Sequence, residues 1–150
     1  MIDEFKGKYY FLSNFYNAPV IYEDLLYLNN ESAFQSAKAK DIERRKQFCN
    51  LDPSTAKKKG RNVILRHDWE KIKDQVMEDC VRDKFARNDD LRQRLLDTGD
   101  QELVESNTWN DTYWGVCRGR GKNMLGKILM KVREELRDDW KNHMWKWYRS

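Results

Sequence analysis

A mostly helical α+β fold with a few short strands is predicted by three observations. From about residue 31 onward, apolar residues recur at intervals of three or four, which indicates amphipathic helices. Short aromatic and β-branched runs such as Val20-Ile21-Tyr22 are typical of strands and lie mainly near the N-terminus. Neither a repeat nor a long Pro-, Gly- or Ser-rich linker divides the 150 residues, so we expect one compact domain over residues 1–150.

Three segments have the composition of strands. Residues 4–15 are rich in aromatic side chains and end at the turn-forming pair Ser13-Asn14, which favours one or two strands. A second extended piece runs from Val20 into 27–30, and residues 101–106 are also strand-like.

Polar capping residues mark where the helices are expected to begin. Asn30 can cap a helix over 31–40, because its side-chain oxygen can accept an N–H of the first turn. Asp68 can cap the longest helix in the same way. The other expected helices cover 41–48, 55–63 after Pro53, a segment from Asn88 or Asp89 to Gly99, and a segment after Asn123 with Leu125, Ile128, Leu129, Val132 and Leu136 on its apolar face.

The composition is that of a folded, intracellular protein. Charged residues make up 36% and hydrophobic residues 39%, but the 13% of aromatic residues argues against disorder. The net charge of +4 is too small for a dedicated DNA-binding module and is compatible with a phosphorylated small molecule or with occasional nucleic-acid contact. Cys49, Cys80 and Cys117 are dispersed without a zinc-binding pattern, which favours reduced thiols. With no apolar leader or membrane-spanning run, we expect a cytoplasmic protein that does not enter a membrane.

Helical spacing places Glu31, Gln35 and Lys38 on one stripe of the predicted helix. These side chains are either reactive and substrate-binding groups or a solvated face with ordinary i,i+4 pairs, and the spacing alone favours the solvated face. Asp68-Trp69 is likewise an N-cap beside a core tryptophan when it is considered alone, and Trp114 suits a stacking surface and a core ring equally well.

The stretch 114–126 contains four glycines and three cations before the last predicted helix. It matches neither the GxxxxGK[ST] pattern of a P-loop nor GxGxxG. Glycines allow backbone N–H groups to approach an anion, so a phosphate remains a reasonable ligand for this stretch.

Several motifs in order resemble the NADAR family. The resemblance covers roughly residues 4–137 and leaves out the aromatic tail 138–150, which we expect to pack over the body through Trp140, Trp145, Trp147 and Tyr148. One departure is Cys117, where members often have the second glycine of Trp-Gly-x-Gly. The motifs are Phe11-Leu12-Ser13-Asn14-Phe15, Glu31-Ser-Ala-Phe-Gln35-Ser-Ala-Lys38, Asp68-Trp69, Lys84-Phe85-Ala-Arg-Asn88, Thr98-Gly99-Asp100, Leu103-Val104-Glu105, Asp111-Thr-Tyr-Trp114-Gly115 and Gly121-Lys-Asn123-Met-Leu125-Gly126.

The resemblance implies an N-glycosidase that hydrolyses a ribosyl C1–N bond without a metal or a cofactor. The expected substrate is either a phosphorylated ribosylamino-pyrimidine, an early riboflavin-pathway intermediate, or ADP-ribosylated guanine in nucleic acid. The alternative is a non-catalytic module that binds ADP-ribose or a related nucleotide. The oligomeric state stays open.

Breaking a ribosyl C–N bond builds positive charge at C1, which carboxylates can stabilise. We therefore expect Glu31 and either Glu105 or Asp111 to flank the sugar, with Lys38 as a phosphate anchor or a Schiff-base amine. The glycine stretch would let the backbone, the helix after Asn123 and the cation Arg118 contact the sugar-phosphate. The expected substrate-binding residues are Asn14, Gln35, Asp68, Trp69, Trp114, Gly115, Arg118 and Asn123.

Overall fold

The computed structural model describes the backbone of residues 1–142 and the side chains of residues 1–138. Within that part the chain forms six α-helices, a 3-10 helix and a two-stranded sheet, which confirms the prediction of a mostly helical α+β fold. Its contacts divide into two units, one formed by residues 14–84 and the other by 1–13 with the segment from Phe85 onward. No helix in the described range has the length and apolar character that a membrane crossing needs.

The unit 14–84 begins with a hairpin of two antiparallel strands, β1 (Asn17–Tyr22) and β2 (Leu25–Asn29). Glu23 and Asp24 both have positive φ, as the two central residues of a type I′ hairpin turn require. Val20 pairs with Tyr27, and both side chains are fully buried. The predicted extended pieces are therefore confirmed as one hairpin at 20–22 and 27–29, whereas Asn30 already belongs to the following helix.

Helix α1 (Asn30–Ser36) follows the hairpin directly and packs against both strands. Its cap is Asn29, whose side chain accepts the Ser32 N–H at 2.8 Å, so the prediction of Asn30 as the cap is wrong by one residue. The helix also ends earlier than the predicted Lys40, since residues 37–40 continue only as turns.

Two short helices complete the surroundings of α1. Helix α2 (Ile42–Lys46) is capped by Asp41, and helix α3 (Pro53–Gly60) is capped by Asp52, whose carboxylate accepts the Thr55 N–H at 3.1 Å. Proline at the first helical position is favoured because its missing N–H would lack an intrahelical partner there. Helix α3 packs against α1, which also contacts both strands of the hairpin.

Helix α4 (Trp69–Arg87) is the long helix expected after Asp68, and it carries a fully buried lysine. The Lys84 Nζ lies 5.7 Å from the centre of the Tyr16 ring. Burial lowers the pKa of this amine to about 7, because a charged ammonium is poorly solvated there.

We expect the free energy of unfolding to rise between about pH 7 and pH 9. In that range the unfolded chain holds a proton on Lys84 that the folded chain does not, so stability increases with pH by up to about 1.4 kcal/mol per pH unit. Above pH 9 the buried Cys80, whose pKa is raised, opposes the rise. Urea unfolding at several pH values measures the slope, and the Lys84→Met variant should flatten it. An equal slope in both proteins would contradict this assignment.

The other unit begins with a 3-10 helix, Gly7–Leu12, where the aromatic run predicted strands. The strand prediction for 4–15 is wrong, because Gly7 takes a positive φ and the Tyr9 N–H donates to the Lys6 carbonyl at 3.0 Å. Phe11 is thereby turned inward, with its ring edge-on to Phe85 at 6.3 Å between centres.

Two of the helices, α5 (Asp89–Leu96) and α6 (Met124–Asn142), lie in this unit. Helix α5 packs against helix α6, and the turn after α5 passes through Gly99 at positive φ. The predicted face of α6 is confirmed, since all five of its expected apolar residues are buried. The expected packing of the aromatic side chains in the tail 138–150 lies outside the described residues.

The segment 101–106 makes isolated bridges instead of the predicted strand. Leu103 pairs in parallel with Ile2, and Ser106 pairs in parallel with Val116. Each partner segment is too short to form a regular ladder, so the prediction of an extended backbone is right only at these positions.

Candidate active site

Helix α1 is buried along its whole length, although Asn30, Glu31 and Gln35 give it two amides and a carboxylate. Glu31 is 8% exposed and Gln35 is 6% exposed, so the expected solvated face does not exist at these two positions. A buried carboxylate needs hydrogen-bond partners. Gln35 supplies one, because its Nε2 donates to the Glu31 Oε2 at 2.7 Å across one helical turn.

Asn14 holds the N-terminal end of α1. Its main-chain carbonyl accepts the Glu31 N–H at 3.0 Å, and its side-chain oxygen accepts from the Asn30 amide at 2.7 Å. Both amides also approach the sulfur of Met77, at 3.6 Å for Asn14 and 3.7 Å for Asn30. Asn14, a predicted substrate-binding residue, is therefore a buried neighbour of Glu31. The role of Asn30 beyond a cap was missed, since nothing in the local sequence shows where its side chain points.

Lys38 lies just after α1 and is half-buried. Burial lowers the pKa of its ammonium, the Glu31 carboxylate opposes that shift, and the Arg61 guanidinium adds to it. The three members of the predicted stripe are thus linked by a hydrogen bond and by charge. A carboxylate, an amide donor and an amine with a lowered pKa are brought together near one end of α3.

Asp68 and Trp69 lie at the start of α4. The Arg66 guanidinium donates to both Asp68 carboxylate oxygens, at 2.6 and 3.1 Å, and this pair lowers the pKa of Asp68. Trp69 is 5% exposed, and its ring lies 5.2 Å from that of Phe34 at an angle of 55°. The indole is part of the packing of this unit, and its stacking on a substrate stays a prediction.

In the other unit, Asn107 organises the loop that carries Asp111. The Asn107 side-chain oxygen accepts the N–H groups of Trp109 and Asp111, and its Nδ2 donates to the Asp111 carbonyl at 2.8 Å. Asp111 Oδ1 in turn accepts the N–H groups of Tyr113 at 3.1 Å and Trp114 at 2.9 Å. Asn107 was not predicted as a site residue, although asparagine commonly bonds to the backbone in such turns.

Replacing Asp111 with Ala should lower the free energy of unfolding by about 1–3 kcal/mol, because two backbone donors lose their acceptor. Asp111→Asn keeps an oxygen at that position and should lose clearly less. Urea unfolding of both variants measures the difference. Equal losses would show that the two hydrogen bonds are not the source of the effect.

Asn123 ties the start of α6 to the segment that carries Glu105. Its side-chain oxygen accepts the Glu105 N–H at 3.0 Å, and its Nδ2 donates to the Leu103 carbonyl at 2.9 Å. Gly115 is required in the same place, since a Cβ atom there would meet the Glu105 carbonyl and come within 2.8 Å of Asn107 Nδ2. Both residues of the predicted site therefore have a positioning role, and Glu105 itself is half-buried.

The backbone N–H groups at the start of α6 form hydrogen bonds within the protein. Four successive N–H groups, from Lys122 to Leu125, donate to carbonyls of the segment 112–115 at 2.8–3.3 Å. The expectation that this helix offers N–H donors to a phosphate is therefore wrong for these four groups. The glycine stretch folds back to close the end of its own helix.

Trp114 and Arg118 are the remaining members of the predicted site in this unit. Trp114 is half-buried and packs edge-on against Tyr113 at 4.9 Å. Arg118 is exposed at positive φ in a tight turn, and its guanidinium approaches the Asn110 side-chain oxygen at 3.5 Å.

The predicted site residues fall into the two units. Asn14, Glu31, Gln35 and Lys38 are neighbours within one unit, with Asp68 and Trp69 in that same unit. The expectation that Glu31 and Glu105 or Asp111 flank one sugar stays a prediction. Among the described residues, no group of three or more His, Cys, Asp and Glu side chains is placed to hold a metal ion.

The described chain is a mostly helical α+β protein with a buried Glu–Gln pair beside a half-buried lysine, which are side chains of the kinds used in acid–base and nucleophilic catalysis. A family model described as the NADAR domain matches residues 3–137. The chain belongs to the NADAR family. The prediction that residues 1–150 form a single domain extends past the matched residues and stays a prediction.

Curated relatives agree with this membership. The chain is 40% identical over 128 residues to the N-glycosidase YbiA of Shigella flexneri serotype 5b (strain 8401), and the match covers 83% of this chain and 79% of that relative. It is 37% identical over 132 residues to a riboflavin biosynthesis protein of Vibrio vulnificus (strain YJ016), and this match covers 85% of this chain and 36% of that relative. The names of the N-glycosidase relatives confirm the expected class of enzyme, a hydrolase of N-glycosyl bonds.

A solved structure has the same fold. The NMR structure of the E. coli protein YbiA matches this chain with a TM-score of 0.81 at 36% identity, over 93% of this chain and 88% of that protein. The mostly helical α+β fold with a few short strands, predicted from the sequence pattern, is confirmed by this match.

Proposed function

We propose that this chain hydrolyses the C1–N bond of a phosphorylated ribosylamino-pyrimidine, with Glu31 and Lys38 at the reacting carbon. The observation that carries the proposal is the buried Glu31–Gln35 pair with Lys38 beside it. The choice of a pyrimidine substrate is supported by the relative that is named a riboflavin biosynthesis protein.

Glu31 is proposed to stabilise a cationic sugar, and its burial and its hydrogen bond support this role. Cleavage of a ribosyl C–N bond places positive charge on C1 and the ring oxygen. A carboxylate that is 8% exposed acts through a medium of low dielectric constant, where its interaction with that charge is stronger than in water. The hydrogen bond from Gln35 fixes the carboxylate, so little reorganisation is needed during the reaction.

Lys38 acts in this proposal as an amine. Because burial lowers its pKa, a larger share of Lys38 is neutral at a given pH than for a solvated lysine. A neutral amine can displace the base from C1, with the base nitrogen leaving with a proton. The C1–O4′ ring bond of the resulting glycosylamine then opens to give an imine and a free 4′-hydroxyl, and water hydrolyses this imine to release the ribose phosphate and the amine. In this proposal Glu31, whose charge acts on Lys38, accepts and returns the protons of these steps.

Product analysis tests the proposal directly. Purified protein is incubated with a ribosylamino-pyrimidine phosphate and, separately, with DNA that carries ADP-ribosylated guanine, each with and without EDTA. We expect release of the pyrimidine, unchanged by EDTA, as detected by liquid chromatography and mass spectrometry. If base is released only from the modified DNA, the substrate is the guanine adduct and not the pyrimidine.

Folded protein that releases base from neither substrate would overturn the proposal. Calorimetry with ADP-ribose then tests the alternative, a binding module without turnover. Tight binding with no product over hours would establish that alternative.

A further inference from the structure

Gly60 is a glycine whose backbone does not require glycine. It is the last residue of α3, and it is not among the glycines at positive φ in the described chain, which are Gly7, Gly99, Gly119 and Gly121. Glycine weakens a helix relative to alanine, because it loses more conformational freedom on folding. A reason for glycine at this position must therefore come from what packs against it.

The neighbour that excludes a side chain is Gln35. A Cβ atom at position 60 would overlap the Gln35 Oε1 and lie 2.7 Å from its Cδ and 3.2 Å from its Cβ. Gly60 is buried and Gln35 is 6% exposed, so the amide of Gln35 cannot move away into solvent. An alanine at position 60 would displace this amide.

The orientation of the Gln35 amide follows from the two surfaces that it contacts. Its Nε2 donates to the Glu31 Oε2, whereas its Oε1 is buried, faces Gly60 and accepts no hydrogen bond from the described residues. A flipped amide would bring the carbonyl oxygen against the carboxylate, and two acceptors repel. A Cα–H group is a weak donor, so Gly60 is a compatible neighbour for this oxygen.

We propose that Gly60 is a positioning residue for Glu31, acting through Gln35. The missing side chain on α3 leaves the space in which the Gln35 amide lies and donates to the Glu31 carboxylate. The catalytic consequence of this inference rests on the proposed function, in which Glu31 is the carboxylate at the reacting carbon. The geometric part concerns these three residues alone.

A double-mutant cycle tests whether Gly60 acts through Gln35. We expect Gly60→Ala to lower kcat by roughly ten- to a hundredfold, as small displacements of catalytic groups do. Gln35→Ala should have an effect of similar size, and the double variant should be no slower than Gln35→Ala. Lys58→Ala, an exposed change in the last turn of the same helix, is the control and should stay within about twofold of the unmodified protein.

Independent losses that multiply in the double variant would overturn the inference, and so would full activity of Gly60→Ala. If Gly60→Ala does not fold, the double variant decides, since removing the Gln35 amide removes the overlap. Recovery of folding in the double variant supports the inference, and failure to recover overturns it.

NMR separates this inference from the proposed function. Gly60→Ala should shift the side-chain amide signal of Gln35 and the carboxyl ¹³C signal of Glu31, whether or not a substrate is turned over. Unmoved signals would overturn the positioning role even in an active enzyme. If the signals shift but the protein cleaves neither substrate, the positioning of Gln35 by Gly60 is supported and the proposed reaction is wrong.

Discussion

Replacing Glu31 with Gln is expected to lower kcat at least about 100-fold while the thermal midpoint changes by only a few degrees. The loss is in the range that removal of an acid–base or charge-stabilising group produces. Stability should be kept because glutamine has nearly the same shape as glutamate, and its side-chain oxygen can still accept from the Gln35 amide. Initial rates on the pyrimidine substrate and thermal unfolding by circular dichroism measure the two quantities.

Glu43→Gln is the matched control for this variant. Glu43 lies on α2 and forms an exposed pair with Lys46 at 3.3 Å, which contributes little in water. We expect unchanged turnover. If Glu31→Gln keeps full turnover, Glu31 is not a catalytic residue. If the thermal midpoint of Glu31→Gln falls by much more than a few degrees, the substitution acts on folding.

Replacing Lys38 with Arg is expected to abolish turnover as completely as Lys38→Met, by about 100-fold or more. Arginine keeps the positive charge but does not release its proton in proteins, so it can anchor a phosphate and cannot act as an amine. Sodium cyanoborohydride should trap a covalent sugar adduct on Lys38 in the unmodified protein, as read by mass spectrometry of a digest.

Lys40→Arg, an exposed change two residues away, should keep full activity and the adduct. If Lys38→Arg retains activity within about tenfold and no adduct forms, Lys38 is the phosphate anchor instead. The pH profile provides a further check, because activity that needs the neutral amine rises as Lys38 loses its proton.

The apolar face of α6 could be predicted from the sequence because its signal is local. Leu125, Leu129 and Val132 repeat at helical spacing, and any protein surface that covers this stripe buries them. Cap residues such as Asp41 are equally local, since the side chain bonds within its own first turn. Where an element depends on its own few residues, the prediction was right to within a few positions.

The burial of α1 could not be predicted in this way. Glu31, Gln35 and Lys38 have the pattern of a solvated stripe, and two of the three are buried because α3 and the hairpin, which are separate elements of the chain, pack around the helix. The prediction for the 3-10 helix Gly7–Leu12 failed for a related reason. An aromatic run suits a strand and a tight turn equally well, and the positive φ of Gly7 is not visible in its neighbours.

The candidate site was predicted in part for the same physical reasons. The resemblance and the chemistry pointed to Glu31 and Lys38, whereas the roles of Asn30 and Asn107 depend on contacts that only the folded chain brings together. Asn123 is the clearest change of role, since its side chain bonds to the main chain at Leu103 and Glu105.

Because α1 is short, Glu31 and Gln35 can be arranged only in the folded protein. A helix of seven residues is far below the ~12–15 residues at which an isolated helix becomes even marginally stable in water. Glu31 and Gln35 therefore have no preformed arrangement in the nascent chain or in a peptide excised from it. They acquire their geometry only when the two strands and α3 have packed against α1, so the proposed chemistry is a property of the tertiary structure and arises together with it.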